Sequence, residues 1–453
     1  MMEERTFSRA MQLLKSRQSL RSSKPPSSTL PVKRFPSGSP IFQGTPHIQG
    51  MKKWLGSLGH TDERLRRLKV IHVAGTKGKG STCAYIDSLL GSYGRRTGFP
   101  LKRGLYTSPS LMNYNDMIRI NFQPLSEAYF TKAFFEVWDG LRLDEEDKEP
   151  PRKLQLLAIM SFHVFLQEGV DVAIYETHHG GEFDVTNIID DPVVTAITTI
   201  GLDHKEELGG TYESIAWHKG GIFKKGACAL SVDQHPRAAG ILDARARELG
   251  VTLGYVEALQ ELPGKFQDDA QRINASLALR ASDVFLNHHT PGSHLSPEDV
   301  EDGLRNFRWP GRFHIVEEDS TTWYMDGAHN PMSVEIAAKW FLRLNKPQSA
   351  KNVLVFGLDS DRHDPYNTLE TLATLLREHV EGIVLTSDTG HSDNKRLATY
   401  SEIWKSHSRD VKIKIADREQ AMGCAREMGT QVFVTGSLFL VAFVLQKLNQ
   451  SCT

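Results

Sequence analysis

The architecture of this chain is indicated by one short stretch, which reads Val70-Ile71-His72-Val73-Ala74-Gly75-Thr76-Lys77-Gly78-Lys79-Gly80-Ser81-Thr82. An apolar, β-branched run leads into closely spaced glycines, a lysine and a hydroxyl residue, and a helix-like segment follows at residues 83–93. This order predicts a strand, a phosphate-binding loop and a helix, since glycines let backbone N–H groups turn towards phosphate oxygens and a helix N-terminus adds a positive field. Lys79 is expected to reach the terminal phosphates of a nucleotide, and the Ser81 hydroxyl to ligate Mg²⁺. The residues predicted to bind the nucleotide here are Gly75, Thr76, Gly78, Lys79, Gly80 and Ser81.

Beyond this stretch, apolar β-rich runs alternate with helix-like segments. Residues 69–74, 170–176 and 193–200 have the composition of strands that are buried on both faces, and residues 154–167 have helical periodicity. A second alternation begins after the turn at Pro310-Gly311. Its predicted strands are residues 322–325, 352–356, 382–386, 411–415 and 432–435. We therefore expect an α/β protein with a P-loop-type, mostly parallel sheet flanked by helices over residues 1–310, followed by a smaller Rossmann-like α/β domain over residues 311–453.

Length and composition exclude several classes of protein. The chain has 453 residues, of which 40% are hydrophobic and 24% charged, as in ordinary globular proteins. A formal net charge of −1 provides no basic field for nucleic acid. No apolar run approaches the length of a membrane span. The cysteines, Cys83, Cys228, Cys424 and Cys452, have no paired spacing and are expected to be reduced thiols.

The N-terminal region has two interpretations. The first 35 residues are basic and rich in serine, which is compatible with a mitochondrial presequence. Phe7, Ala10, Met11 and Leu14 nevertheless have helical spacing, which favours a helix of the folded domain. Residues 22–46 are rich in Ser, Pro and Gly and predict a long loop. We expect a cytoplasmic protein, with mitochondrial import as the alternative.

The glycine loop departs from the G-x-x-x-x-G-K-[ST] pattern, because Gly80 separates Lys79 from Ser81. It is similar in this respect to the variant loop of the Mur ligase superfamily, whose members form amide bonds at the expense of ATP. Over nearly its whole length the chain resembles the folylpolyglutamate synthase family in its eukaryotic form. The segments that carry this resemblance are residues 75–82, 107–109, 161–165, 180–187, 201–204, 216–224, 271–275, 309–312, 326–331 and 435–438.

The resemblance implies a site for two magnesium ions. Glu176 ends a predicted strand, where ligands of open α/β sheets bind, and the matching glutamate of the family helps to bind Mg²⁺. The family's counterpart of His204 is a ligand of the second ion, although magnesium prefers oxygen donors. His178 and His179 replace small residues of the family and are either metal ligands or polar surface. The expected metal ligands are Ser81, Glu176 and His204.

A lysine modification is also implied by the resemblance. Lys219 lies in the helix-like segment Trp217-His218-Lys219-Gly220-Gly221. The matching lysine of Mur ligases is carbamylated, which converts a cation into a carboxylate that can bridge to metal. A lysine whose pKa is lowered by burial would permit this, whereas the alternative is a surface lysine near a helix end. The expected catalytic residues are Lys79, Lys219 and His204.

Further site residues are assigned by the resemblance alone. It implies contacts of Asn274 with adenine, of Arg312 with phosphate and of Asp326 with ribose, and it places His329 at the domain interface. The segment at residues 361–365 resembles the family's Asp-Arg-Asp-Pro, with His363 inserted. Ser437 opens a predicted helix whose N-terminus can bind a carboxylate. Because family members hold the incoming glutamate around these two loops, the expected substrate-binding residues are Asp361, His363 and Ser437.

The acid-binding region is where this chain departs most from the family. A histidine and two arginines of the family pattern are replaced at Ser110, Asn115 and Met117. An aromatic-rich segment is replaced by residues 153–156, and Glu182 stands where many relatives have an arginine or a small residue. Losing aromatic rings removes stacking surface, and losing guanidinium groups removes forked donors for carboxylates. The region is therefore either a tolerant loop of a folate enzyme or a site for a different acid.

The implied activity is that of an ATP-dependent ligase that adds L-glutamate to the γ-carboxylate of tetrahydrofolate or its polyglutamates through an acyl phosphate. One alternative is a paralogous ligase that joins a different carboxylic acid to an amino acid. Another is a degenerate relative that binds nucleotide or folate without catalysis. The expected cofactors are ATP and two Mg²⁺ ions, with a carbamylated lysine. We expect a monomer whose partners are these small molecules, with no nucleic acid and no membrane.

Overall fold

The fold is seen in a computed structural model, which describes residues 5–17, 47–144, 150–263, 269–305, 307–344, 351–360, 364–389, 394–408 and 410–451. The chain divides between Phe307 and Arg308 into an N-terminal unit and a C-terminal unit. Each unit contains a mostly parallel sheet flanked by helices. The predicted α/β fold class is thereby confirmed.

The N-terminal unit is built on an eight-stranded sheet with β1 near its middle, in the order β4-β3-β2-β5-β1-β6-β7-β8. β1 pairs in parallel with β5 and β6, so that Val73 lies opposite Glu176 on one side and Ala196 on the other. β2, β3 and β4 form an antiparallel edge that the sequence patterns did not predict. The strands are β1 Val70–Ala74, β2 Arg103–Tyr106, β3 Ile118–Ile120, β4 Gln123–Pro124, β5 Val172–Glu176, β6 Val194–Ile197, β7 Cys228–Val232 and β8 Leu253–Val256.

Helices cover this sheet, and every residue of β1 and β5 is buried, as the apolar composition predicted. The described helices are α1 Phe7–Ser16, α2 Met51–Ser57, α3 Asp62–Arg66, α4 Lys79–Thr97, α5 Glu127–Gly140, α6 Lys153–Glu168, α7 Lys205–Leu208, α8 Tyr212–Gly220, α9 Pro236–Leu249, α10 Asp269–His289 and α11 Pro297–Arg305. A 3₁₀ helix spans Tyr114–Met117. α4 packs against α10 and α11, whereas α6 packs against α5 and α2. The core beneath α5 and α6 contains Phe130, Phe134, Phe162 and Phe165, each of which contributes about 1.5–3 kcal/mol by leaving water.

The N-terminal helix predicted from residue spacing is confirmed as α1. Thr6 caps it by accepting a hydrogen bond from the Arg9 backbone N–H at 3.2 Å, and Ala10 and Leu14 are completely buried. The loop predicted at residues 22–46 lies outside the described residues. Cys83, Cys228 and Cys424 are free thiols, and Cys452 lies outside the described residues. Among the helices of the described ranges, none has both the length and the apolar character needed to span a bilayer.

The C-terminal unit has a six-stranded sheet in the order β13-β12-β11-β14-β10-β9. Its strands are parallel except for β9, which pairs antiparallel with β10. The strands are β9 His314–Glu318, β10 Thr321–Met325, β11 Asn352–Phe356, β12 Gly382–Leu385, β13 Lys412–Ile415 and β14 Gln431–Thr435. The helices are α12 Pro331–Leu344, α13 Pro365–Leu376, α14 Asn394–His407, α15 Arg418–Met428 and α16 Leu438–Ser451. This unit is smaller than the first, as expected.

Candidate active site

The glycine loop connects β1 to α4 with a backbone that only glycine accommodates well. Gly78 caps α4 with a φ of 88°, in the left-handed region. A Cβ atom on Gly78 would collide with the Asn274 side chain of α10, and one on Gly75 would collide with Thr198. These glycines therefore allow Asn274 and Thr198 to lie directly against the loop. The predicted nucleotide residue Asn274 is thus adjacent to the predicted phosphate loop.

Main-chain hydrogen bonds tie the start of the loop to the segment after β6. The Thr76 and Lys77 N–H groups donate to the Thr199 carbonyl at 2.9 and 3.1 Å, and the Thr76 hydroxyl donates to the Gly201 carbonyl at 3.1 Å. Thr76, which was predicted to bind the nucleotide, therefore shapes the loop with these groups. The N–H groups of the first turn of α4 have no acceptors within the helix and are the natural anion donors.

Two lysines of the loop have different surroundings. Lys77 forms an ion pair with Asp203, with Nζ 3.0 Å from Oδ2. Lys79 begins α4, and its Nζ lies 3.9 Å from Glu176 Oε1 and 3.5 Å from the Thr76 carbonyl oxygen. Lys79 therefore has a weaker contact with its nearest carboxylate than Lys77 has. This arrangement agrees with the assignment of Lys79, rather than Lys77, as the phosphate lysine.

Glu176 lies at the carboxyl end of β5 beside the loop. Its Oε2 atom accepts a hydrogen bond from the Ser108 N–H at 2.9 Å, and a Cβ atom on Gly80 would lie 3.1 Å from the same oxygen. Gly80 thus lets the carboxylate approach the backbone of the first turn of α4, where Ser81 lies. A buried carboxylate next to a hydroxyl residue is the oxygen donor set that Mg²⁺ prefers, so Glu176 and Ser81 fit this ion.

Lys219 is buried, with 3% of its surface exposed. Its Nζ donates a hydrogen bond to the Gly75 carbonyl at 2.5 Å. Burial, assisted by the charge of Lys79, holds the pKa of Lys219 well below its ordinary value, while Asp203 and Asp184 oppose this effect. The alternative of a surface lysine is therefore wrong. A lysine with a lowered pKa supplies the neutral amine that carbamylation requires.

His204 follows β6 and caps α7 in the left-handed conformation, with a φ of 50°. Its Nδ1 atom lies 3.8 Å from Glu207 Oε2, and its ring lies 4.7 Å from that of His179. Partial burial lowers the pKa of His204 to about 4, and the charges of Lys219, Lys79 and Lys77 add to this effect against Asp203. The structure therefore brings the predicted ligand His204 together with two residues, His179 and Glu207, that were not in the predicted ligand set.

The loop after β5 is organised by Asp184. Its Oδ2 accepts hydrogen bonds from the His178 and His179 N–H groups at 2.8 Å each, and its Oδ1 accepts from the Thr186 hydroxyl at 2.6 Å. The His178 ring is buried near Tyr106, with ring centroids 5.3 Å apart. Burial lowers the pKa of His178 to about 4. His178 is therefore half-buried with both ring nitrogens shielded from solvent, whereas His179 joins the cluster around His204.

The departures from the family pattern in the acid-binding region have structural roles. Met117 is 2% exposed and belongs to the core, and the Asn115 side chain donates to the Leu125 carbonyl at 2.7 Å. Glu182 forms an ion pair with Arg245, whose side chain is buried. Neither Met117 nor Glu182 can therefore be replaced by arginine without disturbing the fold. Of the three positions singled out in the sequence, Ser110 is the one with neither a buried side chain nor a described side-chain hydrogen bond.

In the C-terminal unit, the loop after β10 holds the predicted residues Asp326 and His329, and Arg312 precedes β9. Asp326 Oδ2 accepts a hydrogen bond from the Phe313 N–H at 2.9 Å. The Arg312 guanidinium lies against Gly327, where a Cβ atom would collide with it. The Nδ1 atom of His329 lies 3.0 Å from the Gly327 carbonyl oxygen. The segment around Gly327 thus brings Arg312, Asp326 and His329 together.

Ser437 follows β14 at the same edge of the C-terminal sheet. It is buried and forms a hydrogen bond with Asp388, which lies beyond β12. Asp388 adjoins Asp359, whose Oδ2 accepts from the Ser387 hydroxyl at 2.6 Å. Burial and the neighbouring Asp359 raise the pKa of Asp388 to about 7. Sequence reasoning missed this pair, although both carboxylates follow buried strands. The predicted residues Asp361 and His363 lie outside the described residues.

Known proteins resemble this chain in sequence. Residues 311–438 match the glutamate ligase domain of the Mur ligases. A folylpolyglutamate synthase of Neurospora crassa is 42% identical over 325 residues, which span 68% of this chain but 61%, less than two thirds, of that protein. A folylpolyglutamate synthase of Saccharomyces cerevisiae is 34% identical over 442 residues, or 87% of this chain and 80% of the yeast protein. The chain belongs to the folylpolyglutamate synthase family.

Solved structures of this family share the fold. E. coli FolC, in complex with DHPP and ADP, is 25% identical and superposes with a TM-score of 0.75 over 99% of both chains. The Mycobacterium tuberculosis folylpolyglutamate synthase, complexed with ADP and AMPPCP, has a TM-score of 0.75 at 23% identity, covering 89% of this chain and 95% of its own. The resemblance to the family that the sequence motifs indicated is confirmed.

Proposed function

We propose that the protein is an ATP-dependent ligase that adds L-glutamate to the γ-carboxylate of tetrahydrofolate or its polyglutamates. The observation that carries this proposal is the convergence of Lys79, Glu176 and the buried Lys219 on the glycine loop. This edge of the parallel sheet offers the Lys79 ammonium, the Glu176 carboxylate and the backbone N–H groups of the first turn of α4. Such a set of groups suits a nucleoside triphosphate. Yeast and Neurospora relatives that carry the name folylpolyglutamate synthase support the choice of acid and amino acid.

The first step is a phosphoryl transfer from ATP. An oxygen of the acid's carboxylate attacks the γ-phosphorus, the bond to the ADP oxygen breaks, and an acyl phosphate results. The N–H groups at the start of α4 and the Lys79 ammonium are positioned to stabilise the negative charge that spreads over the phosphoryl oxygens. Asn274, which packs against Gly78, is expected to contact the adenine.

Metal binding is assigned to residues around the loop. Glu176 and Ser81 would hold one Mg²⁺. His204 and a carbamylated Lys219 would hold the second Mg²⁺. When bound, the ions supply charge neutralisation for the phosphates. The low pKa of Lys219 supports carbamylation, because the neutral amine attacks CO₂ and loses a proton.

The second step is an acyl transfer. The neutral amine of the amino acid attacks the acyl carbon, inorganic phosphate leaves, and the nitrogen loses a proton. In the C-terminal unit, Ser437 at the N-terminus of α16 would hold the amino acid's carboxylate, with Asp361 and His363 as further predicted contacts. Arg312 would bind phosphate, and Asp326 would accept a hydrogen bond from a ribose hydroxyl.

A second candidate keeps the same chemistry with a different acid. It is favoured by Ser110, Asn115 and Met117, which occupy positions where the family has a histidine and two arginines. Since Asn115 and Met117 are used in packing and hydrogen bonding within the fold, arginine donors for a folate tail are absent from these positions. The acid would then be less anionic than a folate polyglutamate.

One experiment separates these candidates. The full-length protein is incubated with ATP, Mg²⁺, L-glutamate and a panel of acids that includes tetrahydrofolate, and both ADP release and product mass are measured. A tetrahydrofolate product enlarged by one glutamyl residue supports the folate activity. A glutamyl product of another acid alone supports the second candidate. If no acid in the panel causes ADP release, both candidate ligase activities are refuted, and the protein is a relative that binds nucleotide without catalysis.

A further inference from the structure

Three neighbouring strands of the C-terminal sheet end at one group of polar side chains. Asp388 follows β12, Asp359 follows β11 and Ser437 follows β14, and these strands lie side by side in the sheet. We propose that the carboxyl pair Asp359–Asp388 binds the amino group of the incoming amino acid and removes one proton from it. This inference rests on the proposed ligase function, and it adds the base that is needed before the nitrogen can attack the acyl carbon.

Glycines allow these strand ends to lie close together. A Cβ atom on Gly357 would lie 2.8 Å from the Thr386 carbonyl oxygen and 3.3 Å from the Asp388 nitrogen. A Cβ atom on Gly436 would lie 2.7 Å from the Gly357 carbonyl oxygen. The hydroxyl of Thr386, which directly follows β12, is completely buried and has no hydrogen-bond partner among the described residues. This edge of the sheet therefore contains a buried polar group that the described side chains leave unsatisfied.

The two carboxyl groups are held in place by hydrogen bonds. They are hydrogen-bonded to each other, and the Asp359 N–H donates to Asp388 Oδ1 at 3.3 Å. Asp359 Oδ2 accepts from the Ser387 hydroxyl at 2.6 Å and from the Thr389 hydroxyl at 2.8 Å. Because these donors occupy Asp359 Oδ2, the position between the two carboxyl groups is the one left for a shared proton. An ammonium group that bridges the two carboxylates would take the place of this proton.

The environment of the pair suits a base that works near neutral pH. Asp388 is buried and Asp359 is half-buried. Burial, together with the neighbouring Asp359, raises the pKa of Asp388 to about 7. From α14 and α15, Arg396 and Arg418 donate to the main-chain carbonyl oxygens of the two aspartates at 2.7 and 3.0 Å. A base whose pKa lies near the working pH is unprotonated often enough to act and is basic enough to accept a proton.

The N-terminus of α16 supplies the opposite charge. The Ser437 hydroxyl donates to Asp388 and accepts from the Phe439 N–H at 3.1 Å, so it connects the carboxyl pair to the first turn of α16. The N–H groups at a helix N-terminus favour a carboxylate. A free amino acid near neutral pH carries both an ammonium group and a carboxylate. The carboxyl pair and the helix N-terminus therefore match both charges of the amino acid.

The proposed step conserves atoms and charge. One N–H bond of the ammonium group breaks, the proton passes to a carboxylate oxygen of the pair, and the nitrogen keeps the electron pair. The nitrogen then attacks the acyl carbon, and inorganic phosphate leaves. The proton on the carboxyl pair passes to water before the next turnover.

The test compares two nucleophiles in the full-length protein. With ATP, Mg²⁺ and the acid of the panel that gives the fastest ADP release, the acyl phosphate is offered either L-glutamate or hydroxylamine near neutral pH. Hydroxylamine is largely neutral under these conditions and needs no base. We expect Asp388→Asn and Asp359→Asn each to lower glutamate ligation more than about tenfold and to change hydroxamate formation less than about twofold. Glutamate ligation by the variants should then rise about tenfold per pH unit, because only the free amine reacts.

A matched control and a second readout separate this role from a structural one. Asparagine has the shape of a protonated aspartic acid and can keep its hydrogen bonds, and hydroxamate formation itself shows that a variant is folded.

Asp410→Asn, at an exposed position, is the control and should change neither reaction. Equal losses of both reactions in the Asp388 and Asp359 variants, or an unchanged rate with L-glutamate, would overturn the role of the pair as a base. If the unmodified protein forms no hydroxamate with any acid of the panel, the proposed ligase function fails, and the role of the carboxyl pair fails with it.

Discussion

The Nζ atom of Lys219 donates a hydrogen bond to the carbonyl oxygen of Gly75, at 2.5 Å, across the loop between β1 and α4. A neutral amine in this position holds the loop through one N–H···O contact. Carbamylation would leave one N–H on the same nitrogen and would add a carboxylate to it, beside the Gly75 carbonyl. The modification state of Lys219 is therefore coupled to the charge next to the phosphate loop.

We predict that Lys219→Ala is nearly inactive and is partly rescued by short-chain carboxylic acids, because the acid can occupy the place of the carbamate. The measurement is the ligation rate with and without added acid. In the unmodified protein, ¹³C-labelled bicarbonate should give a carbamate signal in the NMR spectrum, and this signal should be missing from the variant. An alanine variant with full activity would rule out this role.

Lys79→Ala should abolish ligation while leaving the fold intact. Lys77 forms a short ion pair with Asp203, whereas the nearest carboxylate oxygen to Lys79 is 3.9 Å away. Loss of Lys79 therefore removes positive charge from the place where the γ-phosphate is expected. Activity should fall more than about tenfold, which corresponds to at least ~1.4 kcal/mol on the barrier. Lys414→Ala removes an exposed lysine of the C-terminal unit and is the control. Retention of more than a tenth of the activity would show that Lys79 is not the phosphate lysine.

Gly78→Ala should weaken nucleotide binding because the added Cβ displaces Asn274, and not only because it strains the backbone. Gly78 and Gly226 have φ values of 88° and 92°, but an added Cβ collides with Asn274 at Gly78 and meets nothing within 4 Å at Gly226. Both alanine variants should lose about 1–2 kcal/mol of stability from the left-handed backbone. Calorimetry with ADP should show lower affinity for the Gly78 variant alone. Equal ADP affinities would mean that the position of Asn274 does not matter.

The carboxyl pair of the C-terminal unit predicts a pH dependence of stability. The pKa of Asp388 is raised to about 7 by burial and by Asp359, so the folded protein binds more protons than the unfolded chain between about pH 4 and 7. Its contribution to the free energy of unfolding is therefore present in acid and is lost as the pH rises through 7. Asp388→Asn should remove this component.

The measurement for the carboxyl pair is urea unfolding of the full chain at several pH values. The difference between the unmodified protein and the Asp388→Asn variant isolates this group from other carboxylates. Asp410→Asn, at an exposed position, serves as the control. Parallel pH profiles for the unmodified protein and the Asp388 variant would contradict the prediction.

The acid-binding region predicts opposite effects for two substitutions. Ser110→His restores a family residue at a partly exposed position and should lower the KM for tetrahydrofolate if folate is the acid. Met117→Arg restores another but buries a cation in the core, and should cost several kcal/mol of stability. Steady-state kinetics and denaturant unfolding measure the two effects. A stable Met117 variant with improved folate use would show that this segment can rearrange.

The sequence predicts the fold around β1 well because the signals there are local. The apolar run of β1, the glycines after it and the periodicity of α4 lie within one continuous segment. The antiparallel edge formed by β2, β3 and β4 was missed, because strands of two to four residues carry too few positions to show alternation. Short elements of this kind are fixed by their neighbours in the sheet.

The candidate site shows the same limit. The sequence pointed to Lys79 through the glycine-loop pattern, to Glu176 through its position at a strand end and to Lys219 through the family motif, and the structure brings all three to the loop. The contacts among His179, His204 and Glu207 join separate loops, so no spacing in the sequence indicates them. The family pattern places Met117 at a substrate-facing position, but Met117 is buried in a cluster that includes residues of α5 and α6, which are distant in the sequence.

The Thr199 carbonyl oxygen accepts hydrogen bonds from both Thr76 and Lys77. These two hydrogen bonds connect the phosphate loop to the segment that leads to His204. A nucleotide that pulls on the loop must also pull on the segment carrying His204 and Glu207. The position of the loop and the position of that histidine–glutamate pair are thus linked, and a change in the length of the segment between β6 and α7 would disturb both at once.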